Sequence, residues 1–591
     1  MKNLPNRKCD GRAVHAAWIL TVFWGGIFLC ISIPAFAFEQ TDSIVITAEE
    51  IKKMNIRKIA DVLNQVPGLK AGDTSVSIQG SYKVKVLLDG RPINDPTSSH
   101  GFVKFDLVSI ETVEKIEIYK GKGALKYGDD ASGGVILITS RKIDTLHGNI
   151  ESYWGNYETS SYSGNCRARE GVFGIALTSG YDYTKGYQDN GDKKKTRAGG
   201  KFEYTPGDEF SLAFSADYLK DDRGLSGRPE YPTPNSRKKS EMVSYALSTK
   251  AKKIVSETFY NDAETKNRDP SRNIDNFISV KEFGEDISTF IGAGKWGSIN
   301  CGAAFRWGEA ESSRFAAKDE RSISLFATDA VSFETLPVTF SFGLRTSVYS
   351  EFDNTVNPET KVSYKKDKWS LSFTYSRTNN IPSFYQRYNK TGTNEPNPDL
   401  DMEIADNFSL SFFTEISHRL SLGASLFNNQ IKDRIAYVLG DSGIGKYENL
   451  GEVTYKGGDI FLNVKILENL SLKTTYSYLK AINEDTGLWM VCKPRHQVYA
   501  DLSCRLMEDF SIIFNLKYES KQYTRSDNKE YVPERTIGNI RVEYSPAYTT
   551  GRFGQVEFFG EVSNLGDKTY LYGDGWLAPP RTWICGLNYR F

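Results

Sequence analysis

The chain has 591 residues with 74 basic and 74 acidic side chains, 13% aromatics (33 Tyr and 34 Phe among them) and 50 Gly, yet only 39% hydrophobic residues and a mean hydropathy of -0.45. The length exceeds one ordinary soluble domain of about 150 residues, and the balanced charge gives no support to a nucleic-acid surface, which needs clustered positive charge. A bundle of membrane helices is excluded too. It would need several apolar runs of roughly 18 or more residues, and only one such stretch exists, at the N-terminus.

That stretch reads as a secretory signal over residues 1–37. Lys2, Arg7, Lys8 and Arg12 precede a mostly apolar Ala16–Ile33, and Ala35-Phe36-Ala37 is a small-x-small cleavage site that leaves Phe38 as the first mature residue. Cys30 lacks the small residue expected before a lipobox cysteine. Cleavage leaves 70 basic against 73 acidic residues and five cysteines, Cys166, Cys301, Cys492, Cys504 and Cys585. No CxxC pair occurs among them, so zinc and redox chemistry have no support. Cys492 and Cys504 can bridge if a turn separates them; on one extended strand they stand about 40 Å apart and cannot.

Ser43-Ile44-Val45-Ile46-Thr47 is a short β-branched strand. The spacing predicts a helix over Ala48–Met54, with Thr47 as N-cap and Glu50 three residues on. A second helix is predicted over Arg57–Val66, where Ile59, Val62, Leu63 and Val66 share a face; Pro67-Gly68 ends it. Strands follow at Val76–Gln79, Val84–Leu88, Val113–Tyr119 and Gly134–Ser140, with a tight turn at Leu88-Asp89-Gly90-Arg91. Residues 38–147 therefore form a small mixed α/β domain.

From Gly148 the pattern changes to period-two alternation. Phe210, Leu212, Phe214, Ala216 and Tyr218 alternate with Ser211, Ala213, Ser215 and Asp217, and the same rhythm returns at Leu371–Tyr375, Leu420–Leu426 and Leu470–Tyr478. Thr205–Asp208 reads as a short turn, and Asp221–Glu241, Asn261–Asn276 and Tyr388–Asp401 as long loops. Short turns at one end and long loops at the other are the outer-membrane barrel arrangement. The absence of a fixed repeat argues against a propeller. At roughly ten residues per spanning strand plus connectors, the 444 residues from Gly148 onward suit about 22 antiparallel strands.

Several motifs carry a resemblance. Ile59-Ala60-Asp61-Val62-Leu63-Asn64-Gln65-Val66-Pro67-Gly68-Leu69, Val84–Pro92, Ile110–Gly121 and Leu125–Ile136 stand in the order and spacing of the plug domain of a TonB-dependent outer-membrane receptor. Tyr375-Ser376-Arg377, Ile381–Gln386, Phe427–Asp433, Val562–Tyr570 and the terminal strand ending in Phe591 resemble its barrel. The resemblance implies a 22-stranded transmembrane β-barrel at 148–591, wide enough to need the plug at 38–147 inside its lumen.

The resemblance also implies roles. Gln79 stands where an Ile-Arg-Gly motif has arginine, and Lys120 where an Arg-Gly-Pro motif has it. A lysine cannot form arginine's bidentate fork, so a less tightly clamped plug is expected, with Glu403 as the acid of the wall. The loop Pro92–Val103, with Asn94, Asp95, Ser98, Ser99 and His100, is the expected ligand contact. Asp42, Ser43, Ile44, Val45, Ile46 and Thr47 form the expected TonB-interacting segment, which adds as a strand to TonB. Only Phe38–Thr41 precede it in the mature chain, so the segment either is a shortened box or doubles as the first plug strand, and no upstream signalling domain is expected. The implied partners are TonB with ExbB-ExbD, outer-membrane lipids and lipopolysaccharide, with the receptor a monomer in the bacterial outer membrane. The implied cargo is an iron–siderophore complex, with cobalamin or another metal chelate as the alternative; a surface receptor or adhesin without transport is the alternative of another class. Gly121-Lys122-Gly123-Ala124 lacks phosphate-loop spacing and no catalytic constellation occurs, so neither enzyme activity nor a cofactor is expected.

Overall fold

The computed structural model describes residues 43–591 apart from 55, 99–100, 293–297, 333–335, 440–442, 547–553 and 574. The signal segment, Asp42, Ser99 and His100 lie outside the described residues.

The N-terminal domain has seven strands, β1 (Ile44–Thr47), β2 (Leu69–Ala71), β3 (Val76–Ile78), β4 (Val84–Leu88), β5 (Arg91–Pro92), β6 (Val113–Lys120) and β7 (Gly134–Ser140), and helices α1 (Ala48–Met54), α2 (Ile59–Asn64) and α3 (Ala124–Tyr127). Its main sheet runs β1-β6-β7-β4-β5, with β4 and β7 parallel. Val62, Leu63, Ile78, Val86, Ile116 and Ile136 are fully buried between helices and sheet. At the start of α1 the Thr47 hydroxyl accepts from the Glu50 amide and the Glu50 carboxylate accepts from the Thr47 amide, the reciprocal capping box the sequence implied. Between β4 and β5, Asp89 (φ 47°) and Gly90 (φ 91°) make the two-residue turn with Leu88 opposite Arg91.

Helix α2 is shorter than expected. Lys58 is extended, and beyond Asn64 the chain turns. The Asn64 carboxamide accepts from the Ala71 amide and donates to the Ala71 carbonyl, at 3.0 and 2.9 Å, so the helix end is tied to β2 rather than continued.

Among the described residues, 22 long strands from His147–Gly155 to Thr582–Arg590 close into an antiparallel barrel. Closure comes from pairing the last strand with the first, Arg590 opposite Asn149. The alternation sorts by polarity in the sense a membrane barrel requires: Phe342 and Leu325 on the outer wall are 59% and 58% exposed, whereas the polar Asn261, Ser347 and Asn588 on the inner wall are 0% exposed. The lumen is filled by the N-terminal domain.

Two-residue turns at one end (Gly171–Val172, Asp208–Glu209, Asp367–Lys368) contrast with longer connections at the other, where residues 381–402 carry the helix Phe384–Tyr388 capped by Ser383 and Gln386. Three loop readings change. The strand through Thr205 continues to Gly207, so the turn is Asp208–Glu209. In Asp221–Glu241 the wall strands enter from both sides and narrow the loop to 225–236, and Asn261–Asn276 is mostly strand, broken only at 270–273. Their polar residues stay in the ladder because each keeps a paired neighbour beyond the apolar belt, as Lys220 opposite Glu241 and Asp222 opposite Lys239 do. None of the five described cysteines is in a disulfide. Cys492 precedes the strand His496–Met507 that carries Cys504, and its thiol donates to the Gly573 carbonyl, so no turn folds the two together.

Candidate functional site

Lys120, at the end of β6, places its ammonium 3.1 Å from Asp459 of the wall and also donates to the Pro67 carbonyl. The partner expected for it was Glu403, and the geometry corrects this. Glu403 is the first residue of its strand, at the long-loop end, and is engaged there with Arg434 on the adjacent wall strand, the Ile435 amide at 2.9 Å and the Asn380 amide group at 2.6 Å. Asp459 lies deeper along Gly445–Leu467, level with Lys120. Among the described residues, Glu403 reaches the inner domain through Asn380, which donates to the Ser132 hydroxyl.

The approach of Asp459 depends on Gly68. A Cβ there would lie 2.7 Å from Asp459 Oδ2, and the φ of +77° is one that side chains avoid. Gln79 is buried with φ 50°, and its amide donates to the Gly68 carbonyl at 2.7 Å. Gln79, Lys120 and Asp459 line a cavity of about 80 Å³ together with Ser43 and Ile44. β1 is the edge strand of the sheet, paired only with β6 over Ile44–Thr47, and Ile44 and Ile46 point into the core.

Sequence reasoning missed several stronger links between domain and wall. Arg57 lies 2.9 Å from Glu151 and 3.4 Å from Glu557, with its guanidinium 3.5 Å over the Phe559 ring. Glu111 meets Arg590 at 3.4 Å. These contacts sit on both sides of the closure between first and last strands. Arg91 pairs with Asp217, Asp106 with Lys195, and Asp73 with Lys193 at 3.1 Å. The signal was present: Lys193, Lys195 and Arg197 recur at inward positions two apart, where a barrel with nothing charged inside would carry neutral residues. The ammonium of Lys58, then that of Lys193, hold the Asp73 carboxyl well below its usual range. Burial raises the Asp95 and Asp106 carboxyls, but Lys104, Lys238 and the Thr97 hydrogen bond together leave Asp95 lowered, as Lys195 and Lys193 together leave Asp106.

At the long-loop end a cavity of about 240 Å³ opens between the inner domain and the wall strands from Ile254 to Tyr349. Asn94, Asp95 and Ser98 line it. Asn94, however, accepts from the Val86 amide and donates to the Val84 carbonyl, both at 2.9 Å, so its carboxamide fixes the loop to β4. Asp95 is held by Lys104 at 2.9 Å and by Thr97. The groups brought together at the cavity floor are instead Lys83, Lys85, Asp129, Arg306, Arg345 and Tyr349, with Trp307, Phe352 and Phe384 as aromatic wall. Among the described residues no cluster of His, Cys, Asp or Glu has the arrangement of a metal site.

A family profile described as "TonB-dependent Receptor Plug Domain" matches residues 38–135, and one described as "TonB dependent receptor-like, beta-barrel" matches residues 139–565. The chain belongs to the TonB-dependent receptors. The receptor is thus an outer-membrane protein, with the short turns periplasmic and the long loops extracellular. Its similarity to the iron-regulated outer membrane virulence protein of Vibrio cholerae is 23% identity, covering 93% of this chain and 92% of that one. It is 22% identical to the vitamin B12 transporter BtuB of Vibrio vulnificus over 95% of each chain. The crystal structure of a ferric enterobactin receptor (PfeA) mutant from Pseudomonas aeruginosa in complex with enterobactin superposes with a TM-score of 0.77 at 17% identity, covering 94% of this receptor and 100% of that chain; this likeness is one of fold.

Proposed function

We propose that the receptor imports an iron–siderophore complex, driven by TonB with ExbB-ExbD. The observation that carries this reading is the extracellular cavity of about 240 Å³ whose floor is the plug itself. A ligand seated there touches the element that must move for it to pass. Its charged and aromatic lining suits a polar chelate, and the similarity to an iron-regulated protein of Vibrio cholerae favours iron as cargo. Asp42–Thr47 is the segment proposed to meet TonB; its strand Ile44–Thr47 is an edge strand able to pair with an added partner on its open side. Asn94, Asp95, Ser98, Ser99 and His100 belong to the ligand-facing loop, Asn94 and Asp95 by shaping it. Gln79, Lys120 and Glu403 belong to the plug–wall contacts that release must disturb. The receptor works as a monomer among outer-membrane lipids and lipopolysaccharide.

Cobalamin is the second reading, favoured by the full-length similarity to a vitamin B12 transporter. A strain lacking its own receptors, given this chain with and without TonB, separates the readings by growth on a panel of iron chelates and on cobalamin. Rescue by iron chelates that needs TonB supports the first reading, and rescue by cobalamin the second. No TonB-dependent rescue by either points to a surface receptor or adhesin.

A further inference from the structure

At the floor of the extracellular cavity two cations meet with no acid paired to either. Lys85 on β4 donates to the Asp129 carbonyl at 3.3 Å. Arg345 on the wall strand Val338–Tyr349, 3% exposed, donates to the Leu125 carbonyl at 3.3 Å. Neither forms an ion pair among the described residues, whereas the neighbouring cations Lys83 and Arg306 pair with Asp130 at 3.1 Å and Asp286 at 2.5 Å. Burial, then the nearby Arg306, lowers the Lys85 ammonium from its ordinary range.

Both side chains converge on Gly128, where φ is +91°. A Cβ there would stand 3.2 Å from Lys85 Nζ and 3.4 Å from Arg345 Nη2, so the missing side chain leaves the space in front of both cations open. Two buried polar atoms beside it have no partner: Arg345 Nε, a donor, and Asp129 Oδ1, an acceptor. Asp129 Oδ2 is already taken by the Tyr349 hydroxyl at 2.8 Å. All five residues line the same cavity. Unpaired buried donors and acceptors carry a cost that a bound group can remove.

We propose that this floor seats an anionic oxygen group of the imported ligand with a hydrogen-bond donor beside it, as in a hydroxycarboxylate. The oxyanion accepts from Lys85 and Arg345 in front of Gly128, and a ligand hydroxyl or carboxyl that is not bound to iron and keeps its proton donates to Asp129. The inference rests on the reading of the receptor as a chelate importer and names the chelate class. A carboxylate-type chelate meets all three residues. A fully deprotonated tris-catecholate has no donor for Asp129, and a neutral trihydroxamate has no net charge for the cations. Such a group joins plug to wall, because Lys85 and Gly128 belong to one and Arg345 to the other.

The test is equilibrium binding to the purified full-length receptor of four probes: ferric citrate, a neutral ferric trihydroxamate, a ferric tris-catecholate and cyanocobalamin. Each is measured on the wild type and on Lys85→Gln, Arg345→Gln and Asp129→Asn. Ferric citrate is expected to bind. Lys85→Gln and Arg345→Gln each weaken it at least tenfold, with any binding of the neutral chelate unchanged. Asp129→Asn weakens ferric citrate but not the tris-catecholate. Heat-modifiable migration of the barrel and hydrogen-exchange protection of the plug equal to wild type are required of each variant, so that a loss of binding is read only on folded receptor. Binding of ferric citrate that is indifferent to the Lys85 and Arg345 changes, parallel loss of every probe, or preference for any other probe overturns the inference while leaving import standing. A wild type that binds none of the four overturns the import reading and this inference with it.

Discussion

Lys120 of the plug and Asp459 of the barrel wall lie 3.1 Å apart, with side chains 13% and 2% exposed. Breaking so buried a pair leaves an uncompensated charge, which costs far more than losing an exposed one. A double-mutant cycle with Lys120→Met and Asp459→Asn should give a coupling on the order of 1–3 kcal/mol, read from hydrogen-exchange protection of the plug around Pro67–Gly68. The same cycle with Glu403→Gln in place of Asp459→Asn should give coupling near zero, because Glu403 is held by Arg434.

Gly68→Ala should mimic the loss of Asp459. The added Cβ would meet the carboxylate at 2.7 Å in a backbone conformation unfavourable to alanine. Combining it with Asp459→Ala should cost less than the sum of the two changes, because the shortened side chain removes the clash and leaves only the backbone strain, whereas independent sites would give summed effects. Protection of the Gln79 amide, bonded to the Gly68 carbonyl, reports on both.

Local signals were legible: the Thr47–Glu50 capping box, the Asp89-Gly90 turn and the strands Val84–Leu88 and Gly134–Ser140 depend on neighbours a few positions apart. Lys120 was legible as a wall contact through motif position, but its acid was not. Asp459 and Glu403 are both inward-facing, and only the stagger of strands decides which lies level with an ammonium 339 residues away in sequence. Lys85 was hidden for the opposite reason. In Val84–Leu88 it reads as the solvated face of an alternating strand, and its convergence with Arg345 exists only once plug and wall are assembled.

Arg57 should act as a clamp at the barrel closure. It neutralises Glu151 and Glu557 and stacks on Phe559. Arg57→Ala leaves Glu151 without this cation, while Glu557 keeps Arg590 at 2.6 Å. Its predicted outcome is a raised basal conductance in planar bilayers and faster entry of bulky antibiotics. Arg57→Lys should rescue only in part, since lysine keeps the charge but not the planar fork and stack. Conductance of Arg57→Ala equal to wild type would remove the clamp role.

The plug should stay docked through neutral and mildly acidic pH and loosen in strong acid. Asp73, Asp89, Asp95 and Asp106 all have carboxyls lowered in the folded receptor. A lowered carboxyl contributes stability that is fully present above its unfolded value, near about 3.9, and is lost as pH falls through the folded one. The contribution of these four to plug protection should therefore be flat from about pH 5 to 8 and be lost below about pH 4. Hydrogen exchange corrected for intrinsic rate gives the profile; a decline centred near pH 6 would point to other groups.

If β1 must detach to meet TonB, pinning it should stop import without stopping binding. Val45 and Glu117 are direct partners across β1 and β6, so Val45→Cys with Glu117→Cys can form a bridge. The oxidised double variant is expected to bind ligand normally and to lose uptake, with reductant restoring it. Full uptake in the bridged form would exclude β1 as the TonB segment.

TonB-driven import is most directly tested by accumulation of a radiolabelled iron chelate in receptor-deleted cells carrying this chain, compared between strains with and without TonB. Surface binding is expected in both and accumulation only where TonB is present. Equal accumulation in the two strains, or binding with none in either, would contradict it.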